Sequence, residues 1–135
     1  MDNLYRDFIL EHYRNPHNKG FLEPHDLHFA DSNPTCGDEM SMTIQLDDAK
    51  QAVADVAFDG RGCAISQASA SILTDELRGR SLEEIKAMDP KEVLDELGVP
   101  IGPARLKCAL LSYKVLQGAV QGAEVAWPEE AEAVG

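Results

Sequence analysis

The chain has 135 residues, a length typical of a single domain. Its 24 acidic and 12 basic residues give a formal net charge of -12, which argues against a nucleic acid or an anionic membrane as the main partner. The sequence contains no apolar run long enough for a transmembrane helix and no signal peptide at its N-terminus, so we expect a cytoplasmic protein.

The first half of the chain predicts one helix followed by a small sheet. Apolar residues recur on one face of residues 2–14, as in an amphipathic helix. A short strand is predicted over residues 27–34. Apolar and polar residues then alternate over residues 40–46 and over residues 52–58, which predicts two strands that pair as an antiparallel hairpin through a turn at residues 47–50.

The second half of the chain predicts helices. A glycine-rich segment, residues 60–62, is expected to break the third strand, and a helix is predicted over residues 64–77. A capping box that begins at Ser81 and a proline that follows Asp89 predict the starts of two short helices. The last helix is predicted over residues 104–120.

The order of these elements predicts an α+β fold, because strands cluster first and helices follow. We expect a small antiparallel β-sheet of about three strands, with helices packed on one face and an additional N-terminal helix. Residues 1–121 are predicted to form this domain, and residues 122–135 an acidic, flexible C-terminal tail. We expect a monomer or a weak oligomer.

Three cysteines carry the chemical signal of the sequence. They are odd in number and far apart, which argues against a disulfide framework. Cys36 lies in a turn rich in proline and glycine, and Asp38 follows two residues later. Cys63 lies where a strand gives way to a helix, whose N-terminus favours a thiolate. Cys108 lies in the first turns of the last helix, next to Lys107.

Three thiolates and a carboxylate suit tetrahedral zinc or the iron of an iron–sulfur cluster, so these residues are candidate ligands of one metal centre. Histidine is the alternative fourth ligand, but no two histidines form a ligand-like pair in the sequence, and all are predicted to be surface or packing residues. They are His12, His17, His25 and His28.

Glycines and basic residues flank the cysteines. The glycines are predicted to serve backbone geometry by adopting a positive φ. They are Gly37, Gly60 and Gly62. Arg61 and Lys107 could attract an anionic persulfide or neutralise a thiolate-rich site, and for Arg61 an ordinary solvated base is an equally good interpretation.

The three cysteine motifs resemble those of the U-type iron–sulfur scaffold family, the IscU/SufU-like proteins. The motifs are residues 33–38, 60–66 and 105–109, and residues 4–16 resemble that family's opening helix. The resemblance covers residues 3–121. It implies a small antiparallel sheet with helices packed on it.

The resemblance also implies a function. Sulfur arrives as persulfide from a cysteine desulfurase, a labile [2Fe-2S] cluster is assembled on the protein, and the cluster passes to apo iron–sulfur acceptor proteins. The implied ligands of the cluster, or of zinc at the same site, are Cys36, Asp38, Cys63 and Cys108. Cys108 is predicted to accept the sulfur, because it follows a stiff loop, and Asp38 to adjust cluster release.

Three interpretations of the site remain open from the sequence. The first is an assembly scaffold, which is a carrier rather than a catalyst in the strict sense. The second is a zinc-dependent sulfur acceptor, a sulfurtransferase relay like SufU, which Lys107 and residues 68–71 favour. The third is a binding module with a purely structural zinc ion.

Overall fold

The computed structural model describes residues 2–34 and 37–128. Five α-helices and three strands lie within these residues, and none of the helices is long and apolar enough to cross a membrane. The elements in chain order are α1 (Asp2–Arg14), β1 (Leu27–Asn33), β2 (Asp38–Leu46), β3 (Val53–Arg61), α2 (Ala64–Asp75), α3 (Leu82–Lys86), α4 (Pro90–Leu97) and α5 (Leu106–Gln121), with a 3-10 turn (Pro103–Arg105) before α5.

The predicted α+β class is confirmed by a three-stranded antiparallel sheet in the order β1-β2-β3. Asn33 pairs with Asp38 where β1 meets β2, and Ile44 pairs with Val56 in the predicted hairpin of β2 and β3. The alternating residues of β2 are buried, as the pattern predicted. They are Met40, Met42 and Ile44.

The third strand is longer than predicted, because it does not break at the glycine-rich segment. The ladder continues through Gly60, which pairs with Met40, and Arg61, which pairs with Glu39. A Cβ atom at Gly60 would lie 2.1 Å from the Glu39 carbonyl oxygen, and the φ of Gly60 is 131°. Glycine therefore permits a close approach of two strands here rather than ending the strand.

The hydrophobic core lies between the sheet and the helices that cover it. Helices α2 and α5 pack against each other and against the strands. Helices α3 and α4 pack against α5, and α4 also contacts α2. The capping box of α3 is present, with Ser81 accepting a hydrogen bond from the Glu84 amide, and Asp89 caps α4 in the same way. The largest fully buried side chains are those of Phe58, Met42, Ile44, Leu77, Ile85, Leu97, Leu111 and Leu116.

Helix α5 approaches β1 closely at Gly118. A Cβ atom there would lie 2.5 Å from a ring carbon of Phe29. Overpacking typically costs about 1–3 kcal/mol, and the better helix propensity of alanine returns at most about 1 kcal/mol. We therefore expect Gly118→Ala to lower the urea midpoint of unfolding. Gly102→Ala is the matched control, because a Cβ atom there meets no atom of the described residues within 4 Å. Equal midpoints for the two variants would contradict this packing.

The segment after α1 extends the sheet on its open side. The Phe58 amide donates to the Asn18 carbonyl, and the Gly20 amide donates to the Phe58 carbonyl. The Lys19 ammonium donates to the Gly60 carbonyl at 3.0 Å and to Gln67 at 3.1 Å. This lysine therefore holds the end of β3 against α2, just before Cys63.

The C-terminal segment returns to α5. Lys114 is buried, forms an ion pair with Asp31, and lies 5.2 Å from the centre of the Trp127 ring. The Lys107 ammonium lies 5.3 Å from the same ring. Trp127 belongs to the predicted tail, yet it packs on the core. Residues 129–135 lie outside the described residues, so the flexibility of that part stays a prediction.

Candidate metal centre

Asp38 begins β2, and its side chain is completely buried. One carboxylate oxygen, Oδ1, accepts a hydrogen bond of 2.9 Å from the backbone amide of Cys63. This bond joins the start of β2 to the start of α2, two segments that lie 25 residues apart in the chain. Asp38 therefore positions the backbone that carries Cys63.

Cys63 is the N-cap residue of α2 and is half-buried. Its backbone is extended, with a φ of -70° and a ψ of 168°, and its side chain makes no capping hydrogen bond. The Ser66 hydroxyl donates to the Cys63 carbonyl at 3.0 Å, and its oxygen lies 4.0 Å from the sulfur. The sulfur is therefore not used in capping the helix.

Cys108 lies in the first turn of α5 and is completely buried. Small side chains let α2 and α5 approach closely beside it. The Ser69 hydroxyl donates to the Ala109 carbonyl at 2.7 Å and lies 3.1 Å from the Ser112 hydroxyl. This helix pair brings the last cysteine to the end of the sheet where Asp38 lies.

The predicted convergence is present for the three candidate ligands that the structure describes. One carboxylate oxygen of Asp38 and the sulfur atoms of Cys63 and Cys108 all lie within 4.8 Å of one another. Their elements come from three distant parts of the sequence. Cys36 is the remaining candidate ligand, and it lies outside the described residues.

The second carboxylate oxygen of Asp38, Oδ2, indicates the kind of ligand that would suit the site. Oδ2 is buried, and no group within the described part of the chain forms a hydrogen bond with it. A buried carboxylate oxygen without a partner is costly, and a cation is the ligand that would offset its charge. Two thiols and a carboxylate match the donors that zinc and iron accept, so the residues present fit such an ion.

Gly62 serves close approach rather than an unusual backbone conformation. Gly37 and Gly60 have the predicted positive φ, of 74° and 131°, but Gly62 is not among the residues with positive φ, so the prediction was wrong for it. A Cβ atom at Gly62 would lie 2.5 Å from Asp38 Oδ1 and 2.6 Å from the Ser66 hydroxyl oxygen. Any larger residue would displace the carboxylate.

Gly62→Ala is therefore expected to weaken zinc binding at the candidate centre by at least about tenfold, comparable to the loss of a group that orients a ligand. Competition with a chromophoric chelator measures the affinity. Gly102→Ala again provides the control, since it adds the same methyl group in open space. Unchanged zinc affinity in Gly62→Ala would mean that Asp38 is not held where a metal binds.

The two flanking bases differ in their surroundings. Arg61 is 80% exposed and forms an ion pair of 3.1 Å with Glu39, which is the solvated role that was one of its two interpretations. Lys107 stacks its ammonium on Trp127. Sequence reasoning missed Lys19, Ser66 and Trp127, because their roles depend on contacts between elements that no local pattern reveals.

The four histidines form two contacting pairs. His25 and His28 contact each other on the exposed side of the first strand, with ring centres 5.6 Å apart. The ring centres of His12 and His17 are only 4.6 Å apart, and ligand atoms of both lie within 4.8 Å of a carboxylate oxygen of Asp75. Among the described residues, no histidine belongs to the group formed by Asp38, Cys63 and Cys108, and the contact between His12 and His17 has no signal in the sequence spacing.

Comparison with known proteins identifies the family. A family model described as the NifU-like N terminal domain matches residues 4–125. The chain is 41% identical over 138 residues to the zinc-dependent sulfurtransferase SufU of Bacillus subtilis (strain 168), with 89% of this chain and 91% of that protein covered. It is 32% identical over 140 residues to the iron-sulfur cluster assembly scaffold protein IscU of Streptococcus pyogenes serotype M1, with 90% and 85% covered.

The fold has the same relatives. A crystal structure of a putative iron-sulfur cluster assembly scaffold protein for the SUF system, from Fervidobacterium islandicum AW-1, superposes with a TM-score of 0.72 and 27% identity, covering 84% of this chain and 94% of that one. The resemblance seen in the cysteine motifs is confirmed by these matches. The chain belongs to the NifU-like N-terminal domain family, which contains the U-type iron–sulfur scaffold proteins.

Proposed function

We propose that this chain is an iron–sulfur cluster assembly scaffold. It accepts sulfur from a cysteine desulfurase, carries a labile [2Fe-2S] cluster as cargo on Cys36, Asp38, Cys63 and Cys108, and passes the cluster to apo acceptor proteins. The observation that supports this most directly is Asp38 Oδ2, which lies buried beside two cysteine sulfurs and has no hydrogen-bond partner among residues 2–34 and 37–128.

The four proposed ligands suit a cluster that must later be released to an acceptor. Four protein ligands are needed to hold both irons of a [2Fe-2S] cluster, and all-cysteine sets are the usual solution. Here the sequence offers three cysteines, and the fourth donor is the harder oxygen of Asp38. Cys36 is two residues from Asp38, so the chain can bring it to the same point. An oxygen ligand among sulfurs gives a less uniform and more easily exchanged site.

Sulfur transfer requires one cysteine as nucleophile. Its thiolate attacks the terminal sulfur of the donor's persulfide, a new S–S bond forms, the donor's S–S bond breaks, and the donor departs as a thiolate. The chain then carries the persulfide, with no net oxidation or reduction in this step. We propose Cys108 for this role, because it follows the stiff connector of residues 98–102, which joins α4 to the turn before α5 without regular secondary structure.

A zinc-dependent sulfur acceptor is the second candidate function. It is favoured by the 41% identity to a protein named as a zinc-dependent sulfurtransferase. The same residues would hold the ion: Cys63, Cys108, Asp38 and Cys36. Bound zinc keeps its cysteine ligands in the thiolate form. Asp38, anchored by the Cys63 amide, would then orient the site, while one cysteine is released to attack the persulfide.

Anaerobic reconstitution separates the two functions. The full chain is incubated with ferrous iron, cysteine, a reductant and a cysteine desulfurase, and visible absorption is followed before an apo acceptor is added. The scaffold function predicts a cluster chromophore that moves to the acceptor. The relay predicts faster desulfurase turnover with zinc retained and no chromophore. Neither activity, together with unfolding when the metal is removed, would overturn both and support a structural zinc ion.

A further inference from the structure

The end of α2 opposite Cys63 carries a separate group of metal-ligating side chains. His12 comes from the last turn of α1, His17 from the loop that follows, and Asp75 from the last turn of α2. One ligand atom from each lies within 4.8 Å of the other two. Asp75 lies twelve positions after Cys63 along α2, which at 1.5 Å per residue is about 18 Å, so the two groups cannot share an ion.

Each of these side chains is held by a partner of its own. Ser71 Oγ lies 2.7 Å from His12 Nδ1 and accepts a hydrogen bond of 2.8 Å from the His17 backbone amide. Asn18 donates to Asp75 Oδ1 at 3.0 Å, which leaves Oδ2 facing His17 Nδ1 at 2.5 Å. Ligating histidines and carboxylates are typically oriented by such partners.

The group formed by these three side chains is exposed enough for a metal ion to reach it from solvent. His12 is 8% exposed and anchors the group in the domain. The His17 and Asp75 side chains are 54% and 39% exposed, so an ion can enter and water can complete its coordination. Burial of the ring, together with the nearby His17, lowers the pKa of His12, although Asp75 opposes this. A neutral imidazole is the form that binds a metal.

We propose that His12, His17 and Asp75 form a second metal site, for a divalent first-row transition ion, that clips α1 and the loop after it to α2. Two imidazoles and one carboxylate with open positions suit zinc or ferrous iron, and they differ chemically from the sulfur-rich centre at the other end of α2. The site goes beyond the proposed function and does not depend on it.

The hydrogen bonds of the metal-free group leave donor atoms available for an ion. A tautomer of His12 in which Nδ1 donates to Ser71 leaves the Nε2 lone pair for the ion. To bind an ion, His17 Nδ1 and Asp75 Oδ2 would move apart from their hydrogen-bond distance, and a proton on His17 Nδ1 would pass to solvent. Two imidazole nitrogens and one carboxylate oxygen would hold the ion and so join α1, its following loop and α2.

Zinc titration of the full-length protein, followed by histidine ring 1H–15N spectra, tests the proposal. The first equivalent is expected at the cysteine centre and the second at the histidine group. The second equivalent should shift the ring signals of His12 and His17 and leave those of His25 and His28 in place. A second equivalent that moves none of these rings, or moves all four alike, would overturn the proposal.

Variants give the same test an independent readout. His17→Ala and Asp75→Asn are each expected to weaken the second zinc equivalent by at least about tenfold while the first is unchanged. His28→Ala, which removes an exposed imidazole elsewhere, is the matched control. Unaltered second-equivalent affinity in both variants would overturn the site. Cluster assembly in the same variants should be unaffected, so this proposal and the proposed function fail separately.

Discussion

Cys108→Ser is expected to reduce the transfer of sulfur from a cysteine desulfurase to this chain by at least about tenfold, because a serine hydroxyl cannot form a persulfide. The site would retain Cys36, Cys63 and Asp38, so zinc binding should be weakened but measurable. Sulfur bound to the chain is measured by mass spectrometry after short incubation with the loaded desulfurase, and zinc by chelator competition.

Cys63→Ser separates the nucleophile from the other ligands. Cys63 is half-buried at the start of α2, whereas Cys108 is completely buried in α5, so transfer to Cys108 requires the structure around its sulfur to open. If Cys108 is the acceptor, Cys63→Ser should keep most of its sulfur uptake. Its zinc affinity should fall about as much as that of Cys108→Ser. Persulfide found on Cys63, with Cys108→Ser still accepting sulfur at the normal rate, would refute the assignment.

The sheet and most helices could be predicted from the sequence because their signals are local. Alternation in β2 places Met40, Met42 and Ile44 on a buried face, and the capping box at Ser81 begins α3. The extension of β3 could not be predicted in this way. A glycine at position 60 is typical of the end of a strand. Only its pairing with Met40 shows that the ladder continues through it.

The candidate metal centre could be predicted because each ligand lies in a motif with its own local signal. Cys63 lies at a strand-to-helix junction and Cys108 at a helix start, and both signals were present in the sequence. The histidine group has no such signal. His12 and His17 lie on either side of a helix end, and Asp75 is 58 residues beyond His17. Their contact depends on how α1 packs against α2.

Helix α2 contacts both groups of candidate ligands. Its first residues support Cys63 through Ser66, and its last residues support the histidine group through Ser71 and Asp75. The centre of the same helix packs on α5 through Ser69. A displacement of the whole helix would therefore move both groups and the contact with α5 next to Cys108, whereas a substitution at one end leaves the other end in place.

Asp38→Asn is expected to stabilise the metal-free protein while removing much of its response to zinc. Oδ2, which has no hydrogen-bond partner in the described part of the chain, would become an amide nitrogen that can donate to a neighbouring sulfur, and the Oδ1 bond to the Cys63 amide would persist. Relieving a buried unsatisfied acceptor is worth about 1–3 kcal/mol. Denaturant unfolding with chelator present should therefore show a higher midpoint for the variant than for the wild type.

Added zinc should reverse that order, because the wild-type carboxylate gains an ion that the amide cannot bind well. Binding to the folded state alone stabilises it in proportion to the logarithm of metal concentration over Kd, so a weaker site gives a smaller rise. Glu39→Gln is the matched control, since it neutralises the adjacent exposed carboxylate, which pairs with Arg61. An Asp38→Asn protein that is less stable without metal, yet as strongly stabilised by zinc as the wild type, would show that Asp38 serves the fold and not the metal.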